Sequence, residues 1–150
     1  MSHSYACLLT HTVFSTKDQA PLIADECRER LFPYLGGIAR ELGAKALAIG
    51  GPADHVHVLL SLPPALCVAD ALRDLKANFS RWIHETWPER RDFAWQTGYG
   101  AFSASESNRE AVARYIHEQQ DHHRHVTFQE EFVALLKKHK IPYDERYIWA

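Results

Sequence analysis

Apolar residues recur along this chain with two spacings, which predict two kinds of element. Runs of apolar, β-branched and aromatic residues bounded by glycine or proline predict strands, and apolar residues three or four positions apart predict amphipathic helices. The strands are predicted at 5–14, 44–49, 56–62 and 95–103, and the helices at 26–42, 68–87, 108–120 and 128–138. Residues able to cap the first helical turn are predicted at Asp25, at Ser105 or Ser107, and at Thr127.

The order of these elements is strand, helix, strand, strand, helix, strand, followed by two helices. This is the order of the split βαβ plan, so we predict an α+β fold with a ferredoxin-like antiparallel sheet, helices on one face and a C-terminal helical extension. The other face of the sheet would then be free for a site. Pro33 predicts a kink or a later start of the first helix, and the aromatic tail at 141–150 is expected to pack onto the domain.

Length and composition predict a single globular domain over 1–150. Hydrophobic residues make up 46% of the chain and charged residues 24%, which is usual for a globular protein. No apolar run has the length of a membrane span and no signal peptide is recognised, so no membrane partner and a cytoplasmic location are expected. The three cysteines are far apart and contain no Cys-x-x-Cys, which excludes a disulfide framework and a zinc ribbon.

The third predicted strand carries the first candidate chemistry. Side chains alternate along a strand, so His55 and His57 point to one face and Val56 points to the other. Their Cα atoms would lie roughly 6–7 Å apart, which allows both imidazoles to reach one cation. Two histidines are an incomplete ligand set, and in a chain with ten histidines they could also be structural. Asp54 is a candidate to orient one imidazole from behind, or simply a turn residue.

Two other phosphate chemistries use histidines in similar patterns. A histidine triad would need a further histidine at position 59, where the sequence has Leu59. A two-histidine phosphodiesterase would need two His-x-Thr/Ser motifs, and the sequence has one, at His125-Val126-Thr127. Neither pattern is therefore complete.

The third predicted helix supplies a second pair of candidates. Tyr115 and Gln119 are four residues apart and so share a helix face. Gln119 offers a carbonyl oxygen to a metal, and Tyr115 offers a phenol that can act as a covalent nucleophile. A phenol is weakly nucleophilic at neutral pH, but a nearby dication that polarises a phosphate makes its attack feasible. The Tyr-x-x-x-Gln pattern is common and gains weight only beside His55 and His57.

Taken together, these motifs resemble the single-tyrosine HUH transposases, small enzymes of insertion sequences that move as single-stranded DNA. The hydrophobic residue between the two histidines of the HUH motif corresponds to Val56. The resemblance extends over nearly the whole chain. Its matching segments are 11–17, 54–60, Leu75-Lys76, 95–103, Tyr115-Ile116 with Gln119, His122-His123 and 143–147.

The resemblance implies that His55 and His57 are metal ligands, that Tyr115 is the nucleophile, and that Gln119 occupies the place of a third ligand. The implied substrate is single-stranded DNA with hairpin ends. The tyrosine attacks a scissile phosphate and leaves a 5′-phosphotyrosine and a free 3′-hydroxyl before strand transfer. The implied cofactor is Mg²⁺ or Mn²⁺, and histidine ligation suits Mn²⁺ better. The resemblance also implies a homodimer whose sites combine the HUH strand of one subunit with the tyrosine helix of the other.

Several further residues are candidates for binding DNA or for lining the site. The candidate DNA contacts are Lys17, Arg73, Lys76 and Arg81, although a solvated charged face explains any one of them equally well. A net charge of −2 counts against non-specific nucleic-acid binding, but the basic residues are clustered. Histidines that could lie near the site, or have structural roles instead, are His11, His117, His122 and His123.

Two other functions are compatible with the same sequence. One is a domesticated relative that keeps the chemistry but processes dispersed genomic palindromes. The other is a non-catalytic nucleic-acid-binding module on a ferredoxin-like sheet. The complete His–His–Tyr–Gln set favours an enzyme, because a binding module needs none of these residues. Replication initiators and relaxases of the wider HUH group are typically larger and often carry two nearby catalytic tyrosines, whereas this helix carries one.

Overall fold

A computed structural model describes residues 3–149 of the chain. Its strands are β1 (Leu9–Ser15), β2 (Lys45–Gly50), β3 (His55–Ser61) and β4 (Gly100–Ala104). Its helices are α1 (Asp25–Glu41), α2 (Val68–Thr86), α3 (Arg109–His117), α4 (Gln119–His122) and α5 (Phe128–Lys138), with 3₁₀ turns at Lys17–Gln19 and Glu106–Asn108. Within this described part of the chain, no helix combines the length and apolar character that a membrane crossing requires.

The strands form one antiparallel sheet in the order β2-β3-β1-β4. This order is the one that the split βαβ plan produces, so the predicted α+β ferredoxin-like class is confirmed. β1 and β3 are the central strands, and β2 pairs with β3 as the predicted hairpin. The central position of β3 explains its continuous apolar sequence, because both of its faces are covered.

Helices α1 and α2 cover one face of the sheet. Alternate residues of β3 point to this face and pack with Phe14 of β1 against the apolar sides of the two helices. The buried residues of this core include Leu31, Leu35, Leu72, Leu75, Phe79, Val56, Val58 and Leu60. Pro33 lies inside α1 without ending it, and Ala24 rather than Asp25 is the N-cap residue.

The opposite face is covered by the C-terminal helices, so the expectation that it is free was wrong. Ile116 of α3 packs with Leu59 and other small and apolar residues of the sheet. Phe128 of α5 packs with Val13 and Phe102, and the tail adds Tyr143, Ile148 and Trp149 to this cluster. The second face carries apolar residues such as Val13, Leu59 and Phe102, which would be exposed to water without these helices. The tail packs onto the domain as predicted through Tyr143, Ile148 and Trp149, while Ile141 and Tyr147 are exposed, and Ala150 lies outside the described residues.

The sheet and α3 approach each other closely at one glycine. A Cβ atom at Gly50 of β2 would lie 2.1 Å from the carbonyl oxygen of Ile116. Only a residue without a side chain therefore allows α3 to rest on β2 at this point. This contact fixes the helix that carries Tyr115 against the strand next to β3.

Some predicted boundaries differ from the observed ones. The first strand begins at Leu9 and not at residue 5, because Leu9 lies opposite Ser61 and Ala104, where both neighbouring strands end. Trp95 forms only an isolated bridge with Thr16, and the fourth strand begins at Gly100. The strand bounds thus depend on the length of the partners, which a single sequence does not contain.

The predicted helix at 108–120 is divided in two. Glu118 has φ −92° and ψ 13°, which ends α3 at His117 before α4 begins at Gln119. Asn108 is the N-cap position, while the Ser105 and Ser107 hydroxyls bond to each other. The last helix agrees closely with its prediction, since Thr127 and Glu130 form a capping box at its start.

Candidate active site

The histidines of β3 lie between the sheet and the C-terminal helices. His55 and His57 are both fully buried, and both point to the face that α3 and α5 cover. Strand alternation places them side by side on that face, as predicted. Their rings are 5.0 Å apart between centroids.

The ring orientation of His55 is determined by a hydrogen bond behind it. Its Nδ1 atom is 2.7 Å from Asp54 Oδ1. The carboxylate oxygen accepts, so Nδ1 carries a hydrogen and Nε2 points into the site. Burial opposes protonation of this ring, but its hydrogen bonds with Asp54 and Glu131 outweigh burial and raise the pKa of His55. Asp54 thus lies where a residue that orients a metal-binding histidine would lie.

His123 and His57 are oriented in comparable ways. His123 Nδ1 is 2.6 Å from the carbonyl oxygen of Val126, which can only accept a hydrogen bond. The ring is therefore held with its Nε2 atom towards Glu131. His57 Nδ1 shares a hydrogen bond of 2.8 Å with His11 Nε2, and its own Nε2 faces the same point as the other two.

That common point is the carboxylate of Glu131, which enters from α5. Its Oε1 atom is 3.2 Å from His55 Nε2, 3.0 Å from His57 Nε2 and 3.1 Å from His123 Nε2. One ligand atom from each of these four residues lies within 4.8 Å of the others. Glu131 is 3% exposed, so the carboxylate is held in the interior beside the three imidazoles.

Tyr115 and Gln119 reach the same carboxylate from the other side. The Tyr115 hydroxyl and the Gln119 side-chain amide, at 3.0 Å, both donate hydrogen bonds to Glu131 Oε2. Gln119 Oε1 is 3.3 Å from His55 Nε2, so the carbonyl oxygen faces the histidines. The break at Glu118 therefore leaves Tyr115 and Gln119 together at one point, although they belong to different helices.

Burial and hydrogen bonding shift the pKa values of these groups in opposite directions. Burial lowers the pKa of His57 to about 4 and that of His11 to about 3, so both rings are neutral at pH 7. Burial opposes ionisation of Glu131, but hydrogen bonds with His123, His55 and His57 outweigh it and hold its pKa well below the usual range. Burial, followed by the bond to Glu131, raises the pKa of Tyr115, which keeps its phenol protonated.

The donor set fits a divalent cation. The Nε2 atoms of His55, His57 and His123 all face the carboxylate of Glu131, and imidazole nitrogens gathered around a carboxylate are a set of potential ligands for one cation. A cation at this point could be bound by three imidazoles, a carboxylate and an amide oxygen, which are established metal ligands. The nitrogen-rich composition suits Mn²⁺ or Zn²⁺ better than Mg²⁺.

The site contains residues that the sequence analysis missed or left open. Glu131 was missed, although it is a charged residue on the apolar side of α5, three positions after Phe128 and four before Leu135. That position was the available indication of a buried acid. His11 and His123 were among the candidates and do reach the site, and His122 Nε2 is 3.5 Å from Glu131 Oε2. His117 is exposed.

The structure does not bring the candidate DNA-binding residues to the histidines. Over residues 3–149, no hydrogen bond or ion pair joins them to this cluster. Arg73 is exposed and paired with Asp70 and Asp74, and Lys17 and Arg81 are exposed. The Lys76 ammonium donates to the carbonyl groups of Gln96, Thr97 and Gly98, at 2.6, 3.2 and 3.3 Å, so it holds a loop.

The sequence of this chain matches a known protein family. The model for the family described as IS200-like transposase matches residues 4–119. This chain belongs to the IS200-like transposase family. The ISDra2 transposase TnpA of Deinococcus radiodurans is 26% identical over 116 residues, which cover 74% of this transposase and 83% of that one.

Solved structures of similar proteins have the same fold. A crystal structure of a protein assigned as a transposase from D. radiodurans R1 has a TM-score of 0.63 at 25% identity, covering 77% of this chain and 94% of that one. A REP-associated tyrosine transposase bound to a REP hairpin has a TM-score of 0.55 at 13% identity, covering 77% and 70%. The family match ends at Gln119, so His123 and Glu131 lie beyond the matched segment of this transposase.

Proposed function

We propose that this transposase acts as a single domain that cleaves and rejoins single-stranded DNA through Tyr115, with a divalent metal bound by His55, His57 and Gln119. One observation carries the proposal. The Tyr115 hydroxyl and the Nε2 atoms of both strand histidines all contact one buried carboxylate. A phosphate at this position would meet the nucleophile and the metal ligands at the same time, which is the arrangement that covalent catalysis on phosphate requires.

In the proposed reaction, Tyr115 Oη attacks the scissile phosphorus and forms an oxygen–phosphorus bond. The bond from phosphorus to the 3′ oxygen of the preceding nucleotide breaks, and that oxygen takes a proton to become a free 3′-hydroxyl. Glu131 Oε2 accepts the hydrogen bond from Oη, so the carboxylate lies where the phenolic proton leaves. Strand transfer is the reverse reaction, in which a new 3′-hydroxyl attacks the 5′-phosphotyrosine.

The metal would polarise the scissile phosphate and stabilise the charge that develops on it. Asp54 supports this binding, because its hydrogen bond to Nδ1 orients the His55 ring so that Nε2 faces the site. Burial of His57 keeps its ring neutral, as a metal ligand must be. We infer Mn²⁺ or Mg²⁺ as the ion, and imidazole ligands favour Mn²⁺.

The proposed substrate is single-stranded DNA that folds into a hairpin. A protein of the same fold is bound to a REP hairpin, and a relative in the family is the transposase of an insertion sequence. The hairpin-bound protein favours a domesticated enzyme that processes dispersed palindromes. The transposase of the insertion sequence favours a mobile element with hairpin ends. Both use the same chemistry at Tyr115, so the DNA flanking the gene distinguishes them. Lys17, Arg73 and Arg81 remain exposed candidates for backbone contacts outside the site.

Whether cleavage requires single-stranded DNA can be measured with one DNA sequence in two forms. A hairpin oligonucleotide labelled 3′ of the cut should transfer its label to the protein in the presence of Mn²⁺, in a bond that survives denaturation. The fully paired duplex of the same sequence should not, because it has neither a hairpin nor the unpaired backbone that the proposed substrate presents to Tyr115. Equal labelling of both forms would contradict the proposed substrate. The absence of labelling with any strand and metal would favour the binding module.

We further propose that the active form is a homodimer in which α3 is exchanged between subunits. The resemblance to single-tyrosine HUH transposases motivates this proposal, and the exposed, polar turn at 105–108 supports it as a hinge. Within one chain, the Tyr115 and His57 rings are already 5.7 Å apart. In an exchanged dimer, the Tyr115 ring of the partner subunit would make this same contact with His57.

Mixing two inactive variants tests the exchange. Tyr115→Phe lacks the nucleophile and His57→Ala lacks a ligand, so neither homodimer should cleave. A mixed dimer with exchanged helices contains one site with both residues intact, and the mixture should recover up to about a quarter of wild-type cleavage, from random pairing of subunits. No recovery in a mixture shown to contain mixed dimers would establish that each site belongs to one chain.

A further inference from the structure

The segment that follows the family match contributes two side chains to the site. His123 comes after α4 and Glu131 lies on α5, and both are beyond Gln119, where the family match ends. We propose that Glu131 and His123 are metal ligands in this protein, so that the ion is bound before DNA arrives by His55, His57, His123 and Glu131. The inference rests on the proposed function in one respect, namely that His55 and His57 bind a metal.

The direction of the His123 ring supports its role as a ligand. The Val126 carbonyl accepts from Nδ1 at 2.6 Å, so the ring is held in one orientation and one tautomer. Its other ring nitrogen, Nε2, lies 3.1 Å from Glu131 Oε1 and so points into the cluster. Metal-binding histidines typically donate their other ring N–H to a carbonyl or carboxylate in this way. His55 has the equivalent bond to Asp54, so two of the three imidazoles share this arrangement.

The carboxylate of Glu131 is held in place by the structure around it. The capping box of Thr127 and Glu130 fixes the start of α5 one turn earlier, and Phe128 and Leu136 anchor the helix on the sheet. Glu131 is thereby placed in the interior, where its hydrogen-bonding partners keep the carboxylate ionised and where a dication would meet a negatively charged ligand.

The spacing of the ligand atoms also fits one ion. The three histidine Nε2 atoms lie 3.2, 3.0 and 3.1 Å from Glu131 Oε1. Ligands bound at about 2.1 Å to one ion are separated by about 3.0–3.4 Å, for octahedral and tetrahedral angles respectively. The three distances to Glu131 Oε1 are therefore in the range expected for ligands of one ion, and all four ligand atoms lie within 4.8 Å of one another.

The ligand set has a consequence for when the metal binds and which metal is preferred. A site of two imidazoles and an amide contains no negative charge, so its affinity for a dication would depend on the DNA phosphate. The carboxylate of Glu131 adds a negative charge, and the imidazole of His123 adds a third nitrogen ligand. Nitrogen-rich sites favour transition metals over Mg²⁺. We therefore expect the DNA-free protein to bind Mn²⁺ and Co²⁺ and to bind Mg²⁺ far more weakly.

Metal titration of the full chain without DNA tests this inference. Mn²⁺ binding is measured by calorimetry, and Co²⁺ binding by the visible absorption bands that report nitrogen ligation and coordination number. Glu131→Gln and His123→Asn should each weaken Mn²⁺ binding more than about 10-fold. Replacing a residue that only hydrogen-bonds to a metal ligand already lowers metal affinity by about that factor. The Co²⁺ spectrum should change in both variants. Glu130→Gln and His125→Asn are the matched controls, and both should bind as the wild type does.

The outcomes separate this inference from the proposed function. If Glu131→Gln and His123→Asn bind Mn²⁺ like the wild type while His57→Ala does not, then the added ligands are wrong and the strand histidines still bind metal. Binding that requires DNA would also overturn the inference. If His57→Ala binds normally as well, the proposed metal site itself fails. Circular dichroism of each variant verifies folding, and if Glu131→Gln is unfolded, His123→Asn alone decides the result.

Discussion

Tyr115→Phe is expected to abolish the covalent protein–DNA adduct while leaving the protein folded. The substitution removes one oxygen and keeps the half-buried ring, which lies against His11 and His57. The lost hydrogen bond to the ionised Glu131 should cost about 1.5–3 kcal/mol in the free energy of unfolding. Loss of a nucleophile typically reduces the rate by about 10⁴-fold or more, so the adduct should fall below detection.

The measurement uses a single-stranded hairpin labelled 3′ of the cut and denaturing electrophoresis of the protein. Tyr99→Phe is the matched control, because Tyr99 is exposed and lies outside the histidine cluster. It should form the adduct at the wild-type rate. An adduct that persists in Tyr115→Phe would assign the nucleophile to another tyrosine, and the protein–DNA bond could then be mapped by peptide sequencing.

His57→Ala should eliminate metal-dependent cleavage at any concentration of Mn²⁺ that leaves the protein soluble. His57 is fully buried, and its Nε2 atom is 3.0 Å from Glu131 Oε1. Removing the ring deletes a proposed ligand, takes away the hydrogen-bond partner of His11 Nε2 and removes one of several partners of Glu131. We therefore expect a loss of about 1–3 kcal/mol in the free energy of unfolding in addition to the loss of activity.

Cleavage is measured over a range of Mn²⁺ concentrations, with chemical denaturation in parallel to verify that the variant is folded. His117→Ala is the control, since His117 is exposed at the end of α3 and should keep both activity and stability. Unchanged cleavage by folded His57→Ala would contradict the assignment of the metal site. Activity recovered at high Mn²⁺ would instead identify His57 as a contributor to affinity that the remaining ligands can partly replace.

The local features of this protein were predictable because they depend on neighbours in the sequence. Alternation along β3 determines that His55 and His57 share a face, and the capping box at Thr127 determines the start of α5. The order of strands and helices was sufficient for the ferredoxin-like class, since few topologies accommodate it. The family was recognisable for the same reason, because its motifs are short segments with fixed spacing.

The partners of these residues were decided only by the tertiary structure. Glu131 joins the histidines because α5 folds back over the sheet, which covers the face that was expected to be free. Lys76, a candidate for DNA binding, instead donates to three loop carbonyl groups, a role that no periodicity indicates. Buried polar groups must find partners within the fold, and those partners can be far away in the chain. The sequence by itself therefore determined the elements, the class and half of the candidate site, and long-range packing determined the rest.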